Sequence, residues 1–294
     1  MFGIGSSFAK GSFSSPIPVG KKIVQFVVDA RDVDKDYLTS HAVVGDAKLV
    51  LRQIIDEVKS AKGGVKNDGS VASEVRDAKN VYLDEWLPRL TAAETPINPY
   101  RVIWDLMKTV DRANTIITHD SGNPRDQTLS FYEALAPCGY IGWGKSTQLG
   151  TGYGIAMGAK LAQPDKLVIN VMGDLAFGTA GMEVETAVRE RIPIMTVLLN
   201  NSCMGGYGHH MPTASQNYGS NRLSGNYSAV AKGLGAYSER VENPDDVVEA
   251  IKRGIQATQE GQPVVLEMIT KEEPIYPAAP AMLKEIAERE LARA

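Results

Sequence analysis

Asp174 and Asn201 are the residues whose types and spacing point most directly to chemistry. Each stands just past an apolar run: Lys166 to Met172 leads into Gly173-Asp174-Leu175-Ala176, and Ile192 to Leu199 leads into Asn200-Asn201-Ser202-Cys203. Asn201 lies 27 positions beyond Asp174. That interval holds a turn, one helix and one strand, which is a single βαβ crossover. It returns both polar tips to the same edge of a sheet. A carboxylate, an amide oxygen and a backbone carbonyl are hard donors of the kind Mg²⁺ takes, with other positions left for water and phosphate oxygens. The backbone N–H groups of Leu175 and Ala176 open toward a helix and are placed to receive such a phosphate.

The elements that must hold these tips are legible along the chain. Residues 21 to 30 form a β-branched run suited to a buried strand. Asp46 caps a predicted helix from about Ala47 to Ser60, with Leu51, Ile54, Ile55 and Val58 on one face. Gly63-Gly64 and Asn67-Asp68-Gly69-Ser70 break the pattern, and residues 73 to 90 read as a charged helix. Asn98-Pro99 caps a helix reaching about Asp111. Beyond it, a strand at Thr115 to Thr118 and a Gly- and Ala-rich helix from Gly150 to Leu161 precede the Lys166 to Met172 strand. Helices follow at Met182 to Glu190 and Tyr227 to Gly233, another is capped by Asn243-Pro244, and the last strand spans Pro263 to Ile269. Strands alternating with helices predict an α/β fold, a mostly parallel sheet with helices on both faces. Ligands of such sheets bind beyond the carboxyl ends of the strands, where Asp174 and Asn201 stand.

Composition narrows the class of protein. The 294 residues are 43% hydrophobic and 22% charged, an ordinary globular balance. A net charge of -4 argues against nucleic acid as a partner. No apolar run approaches the ~20 residues of a membrane helix, so no membrane partner is expected. Two cysteines, Cys138 and Cys203, are too few for a disulfide framework and point to a cytoplasmic, reducing location. The start, Met1-Phe2-Gly3-Ile4-Gly5, reads as the end of a strand entering a glycine turn, as though the chain began inside a fold.

Gly173-Asp174 followed at this spacing by Asn200-Asn201 resembles the diphosphate-binding motif of thiamine diphosphate-dependent enzymes. The resemblance is to the acetolactate synthase-like group, which includes 2-hydroxyacyl-CoA lyases and oxalyl-CoA decarboxylases. Gly45 to Leu51, Leu149 to Lys160, Thr186 to Arg189 and Ile192-Pro193 extend the likeness over nearly the whole chain. It implies a thiamine diphosphate-binding fold at 96–270, a partial Rossmann-like middle domain at 1–65, a connector at 66–95 and a tail at 271–294 carrying a charged helix. It also implies thiamine diphosphate and Mg²⁺ as cofactors. Asp174 and Asn201 would be side-chain ligands of the ion, and Cys203 would give its carbonyl. Leu149 would prop the cofactor into its bent form. Gly173, Leu175 and Ala176 would face the diphosphate, and Asp120, Ser121 and Gly122 would form another cofactor-facing loop. The family usually has glycine where Leu175 stands.

The family's activating glutamate lies on a pyrimidine-binding domain that this sequence does not show, so no catalytic residue is assigned here. The resemblance therefore implies one portion or subunit of a carbon–carbon lyase or carboligase, completed by a pyrimidine domain on another chain in a homo- or hetero-oligomer. Its substrate would be a small 2-keto acid or a 2-hydroxyacyl-CoA. A non-catalytic binding or regulatory subunit is the rival from another class.

Other polar residues carry blander expectations. Glu183 and Glu185 lie two apart on a helix, face different sides and read as solvated or subunit-contact residues. His209-His210 read as part of a loop covering substrate between Met204 and Ser224, and His41 and His119 as structural. Gly150-x-Gly152-x-Gly154 lacks the preceding strand and later acid of a dinucleotide loop, and reads as tight helix packing.

Overall fold

A computed structural model describes residues 1–10, 17–62, 68–142 and 148–273. Two compact units divide the chain, with the break between Val81 and Tyr82.

In the first unit, β1 (Phe2–Ile4), β2 (Val24–Val27) and β3 (His41–Val44) form a parallel sheet in the order β1-β2-β3. Gly5, at φ +67°, turns the chain out of β1, a conformation that suits glycine. Gln25 is buried in the central strand, and its Nε2 donates to the carbonyls of Ser6 and Asp32. Helix α1 (Ala47–Lys62) starts at the expected cap, where Asp46 Oδ1 accepts from the Leu49 N–H. Its apolar face is only partly covered, with Leu51, Ile55 and Val58 37%, 49% and 39% exposed. The long helix α2 (Ser70–Leu90) crosses the boundary between the units.

The second unit follows α2 with α3 (Pro99–Thr109), β4 (Thr115–His119), α4 (Asn123–Phe131), β5 (Tyr140–Ile141), α5 (Thr151–Ala162) and β6 (Leu167–Gly173). Then come α6 (Asp174–Ala180), α7 (Glu183–Arg189), β7 (Met195–Asn200), α8 (Tyr207–His210), α9 (Pro212–Tyr218) and α10 (Tyr227–Gly233). β8 (Tyr237–Val241), α11 (Val247–Gln259) and β9 (Val264–Ile269) complete it. Its six strands are parallel, in the order β5-β4-β6-β7-β9-β8.

Alternation along each strand supplies two cores. Ile117, Ile169, Val171, Val197 and Leu199 pack on one face with residues of α3 and α11. Ile116, Val168, Met172, Leu198 and Val265 pack on the other with residues of α5, α6 and α7. An aromatic group of Trp86, Tyr100 and Phe131 seals the first face, with ring centroids 5.1–5.4 Å apart. Asn98 Oδ1 accepts from the Tyr100 N–H and starts α3 as expected.

The glycines of α5 show why that helix is glycine-rich. A Cβ at Gly152 would lie 2.6 Å from Asn170 Oδ1 and 2.8 Å from the His119 carbonyl oxygen. The helix N-terminus thus lies against β4 and β6, and the packing reading of that segment holds.

The sequence pattern did not show α4, β5 or β8. β8 is an edge strand whose centre is Ser238-Glu239-Arg240, so half-exposed polar residues stand where an apolar alternation was sought. The predicted C-terminal charged helix lies outside the described residues.

Candidate functional site

Strand order locates the site. From β4 the chain passes first to β5 on one side and then to β6 on the other. Connections leaving adjacent strands in opposite directions open a crevice at the strands' carboxyl ends. A cavity of about 280 Å³ lies there, walled by the segments following β4, β6, β7 and β9.

Nearly all of the sequence-predicted site residues meet in it. Ser121 and Gly122 come from the turn after β4, and Leu149 from the approach to α5. Gly173, Asp174, Leu175 and Ala176 come from the β6–α6 junction, and Asn201 and Cys203 from the turn after β7. Asp120 does not line the cavity. Its carboxylate is fully buried and accepts from the N–H groups of Ser121, Gly150 and Gly152 at 2.7–2.9 Å. It ties the turn after β4 to the start of α5, and so sets where Ser121 and Leu149 stand.

Asp174 is 3% exposed. Its Oδ1 accepts from the Leu175 N–H at 2.8 Å, whereas its Oδ2 is buried with no hydrogen-bond partner. Burial raises the pKa of this carboxyl above the ordinary aspartate value, and backbone N–H groups of Leu175, Ser202 and Cys203 pull the other way. A buried carboxylate oxygen without a donor is costly unless a cation or proton meets it.

The opposing turn is built by two asparagines. Asn200 Oδ1 accepts from the Ser202 N–H at 3.0 Å, and Asn201 Oδ1 accepts from the Cys203 N–H at 3.0 Å. Ser202, just after them, takes φ +55°. Successive side-chain-to-backbone bonds of this kind are the local chemistry that makes Asn a turn former. Burial, reinforced by the negative charge of Glu272, pushes the Cys203 thiol pKa up. A protonated thiol is a poor ligand, so any role of Cys203 toward a hard cation falls to its carbonyl.

Leu175 occupies the second position of α6 and is not among the residues with positive φ. A side chain is therefore tolerated where the resembled family has glycine.

Other residues of the cavity wall were not singled out from the sequence. Asn123, Pro124 and Gln127 belong to α4, which starts after Gly122 at φ +79° with proline in its first turn. Gly122-Asn123-Pro124 was the sequence clue to that helix. Tyr207 is the residue of α8 that lines the cavity, and the side chain of His209 lies outside the described residues. Lys271 is the one cationic residue of the wall among the described residues, and Glu94 and Glu273 lie 2.9 and 3.4 Å from its Nζ. Glu183 and Glu185 are exposed and engaged by Thr186 and Arg189, away from the cavity. His119 is buried beside the Asp120 carbonyl oxygen, with Nδ1 3.1 Å from it, while His41 is exposed on β3.

The donor set fits a small hard cation. Among the described residues no three His, Cys, Asp or Glu side chains converge as a metal site. An ion here would rest on one carboxylate, one amide and backbone carbonyl oxygen, the oxygen-only environment of Mg²⁺, with its remaining positions open.

Comparison with known proteins agrees with this geometry. Residues 120–268 match the thiamine pyrophosphate enzyme C-terminal TPP-binding domain. The match takes in the turns after β4, β6 and β7, and just over half of the sequence. The chain therefore belongs to the thiamine pyrophosphate enzyme family and carries its C-terminal cofactor-binding domain. It is similar to a probable acetolactate synthase large subunit of Methanococcus aeolicus, with 27% identity over 81% of this chain and 41% of that protein. It is 28% identical to an acetolactate synthase catalytic subunit of Aspergillus candidus, over 94% of this chain and 40% of that protein. A 2-hydroxyacyl-CoA lyase 2 of Bos taurus is 31% identical over 59% of this chain and 28% of its own length. The chain thus spans about two fifths of the acetolactate synthases it matches.

Proposed function

We propose that the cavity at the carboxyl edge of the six-stranded sheet holds the diphosphate of thiamine diphosphate through Mg²⁺. The observation that carries this is Asp174 Oδ2, a buried oxygen with no donor at a cavity that Asn201 and Cys203 also line. Asp174 and Asn201 would hold the ion by their side chains and Cys203 by its carbonyl. Ala176, Gly173, Ser121 and Gly122 would border the diphosphate, and Leu149 would support the ring system. When bound, thiamine diphosphate supplies the nucleophilic carbon and electron sink for making or breaking a carbon–carbon bond beside a carbonyl.

The likeness to acetolactate synthases favours carboligation of a small 2-keto acid. The likeness to 2-hydroxyacyl-CoA lyases makes cleavage of a 2-hydroxyacyl-CoA, or oxalyl-CoA decarboxylation, the second reading. In either case residues 96–270 serve as the cofactor domain and residues 1–65 as part of a middle domain. Asp174 is the only carboxylate among the described residues lining the cavity, and no described histidine lines it. With Asp174 committed to the ion, we assign the acid that activates the cofactor to a pyrimidine-binding domain on another chain of an oligomer. No described helix is long and apolar enough to cross a membrane.

Thermal melting with Mg²⁺ alone, thiamine diphosphate alone and both together tests the cofactor assignment. Both together should raise the melting temperature far more than either alone, since a ligand at ~100 times its Kd adds about 2.7 kcal/mol. Asp174→Asn should abolish the joint shift. Equal melting temperatures in every condition would overturn the assignment.

A further inference from the structure

We propose that Glu267 is a positioning residue of the cation site, acting through Asn200 from the neighbouring strand; this rests on the cofactor reading above. Glu267 interrupts the apolar run of β9, Val-Val-Leu-Glu-Met-Ile, and is fully buried. A buried carboxylate is retained in a strand centre only when donors satisfy it. Three do so. Asn200 Nδ2 donates to Oε1 at 2.8 Å, Arg240 Nη1 to Oε1 at 2.9 Å, and the Ser228 N–H to Oε2 at 2.9 Å.

The bond to Asn200 has a consequence beyond packing. An asparagine amide can flip, exchanging its oxygen for its nitrogen. With Nδ2 held by the Glu267 carboxylate, Oδ1 must face the other way, and there it accepts from the Ser202 N–H. That bond opens the turn in which Asn201 and Cys203 are set toward the cavity. Asn200 does not line the cavity, and neither does Glu267. The carboxylate therefore orients the turn at one remove, as partners behind metal ligands commonly do.

Arg240 supplies the control. It touches the same carboxylate from β8, the strand beyond β9 from β7, and its other partner is Glu242, not the Asn200 turn. If Glu267 were only half of an ion pair, removing either partner would act through stability and leave the Mg²⁺ requirement no more affected by one loss than by the other. The experiment measures half-saturation of thiamine diphosphate binding against Mg²⁺ concentration, by calorimetry on the full chain, beside the melting temperature of the ligand-free chain. Glu267→Met removes both acceptor oxygens, the one that holds Asn200 Nδ2 included. It should raise the Mg²⁺ requirement roughly tenfold or more, the scale seen when partners behind metal ligands are lost.

Arg240→Gln should lower the melting temperature while leaving the Mg²⁺ requirement within about threefold of wild type, below the tenfold scale of that class of loss. Asn200→Ser should reproduce the Mg²⁺ defect, and the double variant should be no worse than the worse single one. Asn200→Ser carries the test alone should Glu267→Met fail to fold. An unchanged Mg²⁺ requirement in Glu267→Met, or in Asn200→Ser when it stands alone, overturns the positioning role. So do equal defects in Glu267→Met and Arg240→Gln. A wild-type chain with no Mg²⁺-dependent binding at all overturns the cofactor reading itself, and this proposal with it.

Discussion

The two units contain the same kinds of element and treat them differently. In the first, α1 has a proper cap and an apolar stripe, yet Leu51, Ile55 and Val58 remain partly exposed, and all four residues of β3 are exposed. In the second, β6, β7 and β9 are buried almost throughout, because alternate side chains enter one core or the other. Secondary structure arises from local capping and periodicity, but stability comes from covering both faces of a parallel sheet. The second unit achieves that cover with its own helices. The first presents apolar surface of the kind that marks an interaction face.

The largest effect expected from this difference is on activity. The second unit holds the cavity proposed for the cofactor, but its described wall offers no acid beyond Asp174. The purified chain alone should turn over pyruvate or a 2-hydroxyacyl-CoA at background rate, because orientation of the whole cofactor can be worth ~7–11 kcal/mol. Release of CO₂ or aldehyde is the assay, and robust turnover by a monodisperse monomer would break the division of labour proposed here.

Matched truncations sharpen the comparison next. Leu198 is fully buried at the centre of β7, and Leu198→Ala should destabilise the second unit by about 2–5 kcal/mol. Leu49→Ala, the same chemical change at a position of α1 that is 61% exposed, should stay within roughly 0.5 kcal/mol. Chemical denaturation measures both, and equal losses would show that the α1 face is covered in solution.

Hydrogen exchange offers a residue-by-residue view. Amides of β6, β7 and β9 should exchange only on global opening, while those of β3 and α1 exchange by cheaper local opening. Comparable protection in α1 and β7 would contradict the contrast. Replacing Leu51 and Ile55 together with lysine should also reduce self-association in sedimentation velocity, if the uncovered face drives it.

At the site itself, the smallest effect is at Leu175. Because it already adopts helical geometry, Leu175→Gly should cost about 1 kcal/mol of helix stability at most. It should bring no gain in affinity for thiamine diphosphate by calorimetry. A large gain would show that the side chain obstructs the diphosphate.

Much of the site was legible before any coordinates. Asp174, Asn201 and Cys203 follow apolar runs at a one-crossover spacing, and that alone brings their turns to a common edge. The caps at Asp46 and Asn98 and the packing glycine at Gly152 were legible for the same reason, since each is a local rule acting over a few residues. Asp120 shows the limit. Its position after β4 was read from the sequence, but the three N–H groups that occupy its carboxylate come from residues up to 32 positions away. α4 escaped notice because its residues are weakly amphipathic, and β8 because an edge strand can be polar.

By itself, then, the sequence determined the α/β alternation, the two polar tips and the oxygen chemistry they offer, because periodicity and crossover length are properties of the chain. Only the tertiary structure decided which of those residues face the cavity and which are spent holding others in place. Asp174 keeps an oxygen without a donor, while Asp120 and Glu267 have theirs filled. The three carboxylates are alike as residues and differ in which distant backbone and side-chain donors the fold brings to them.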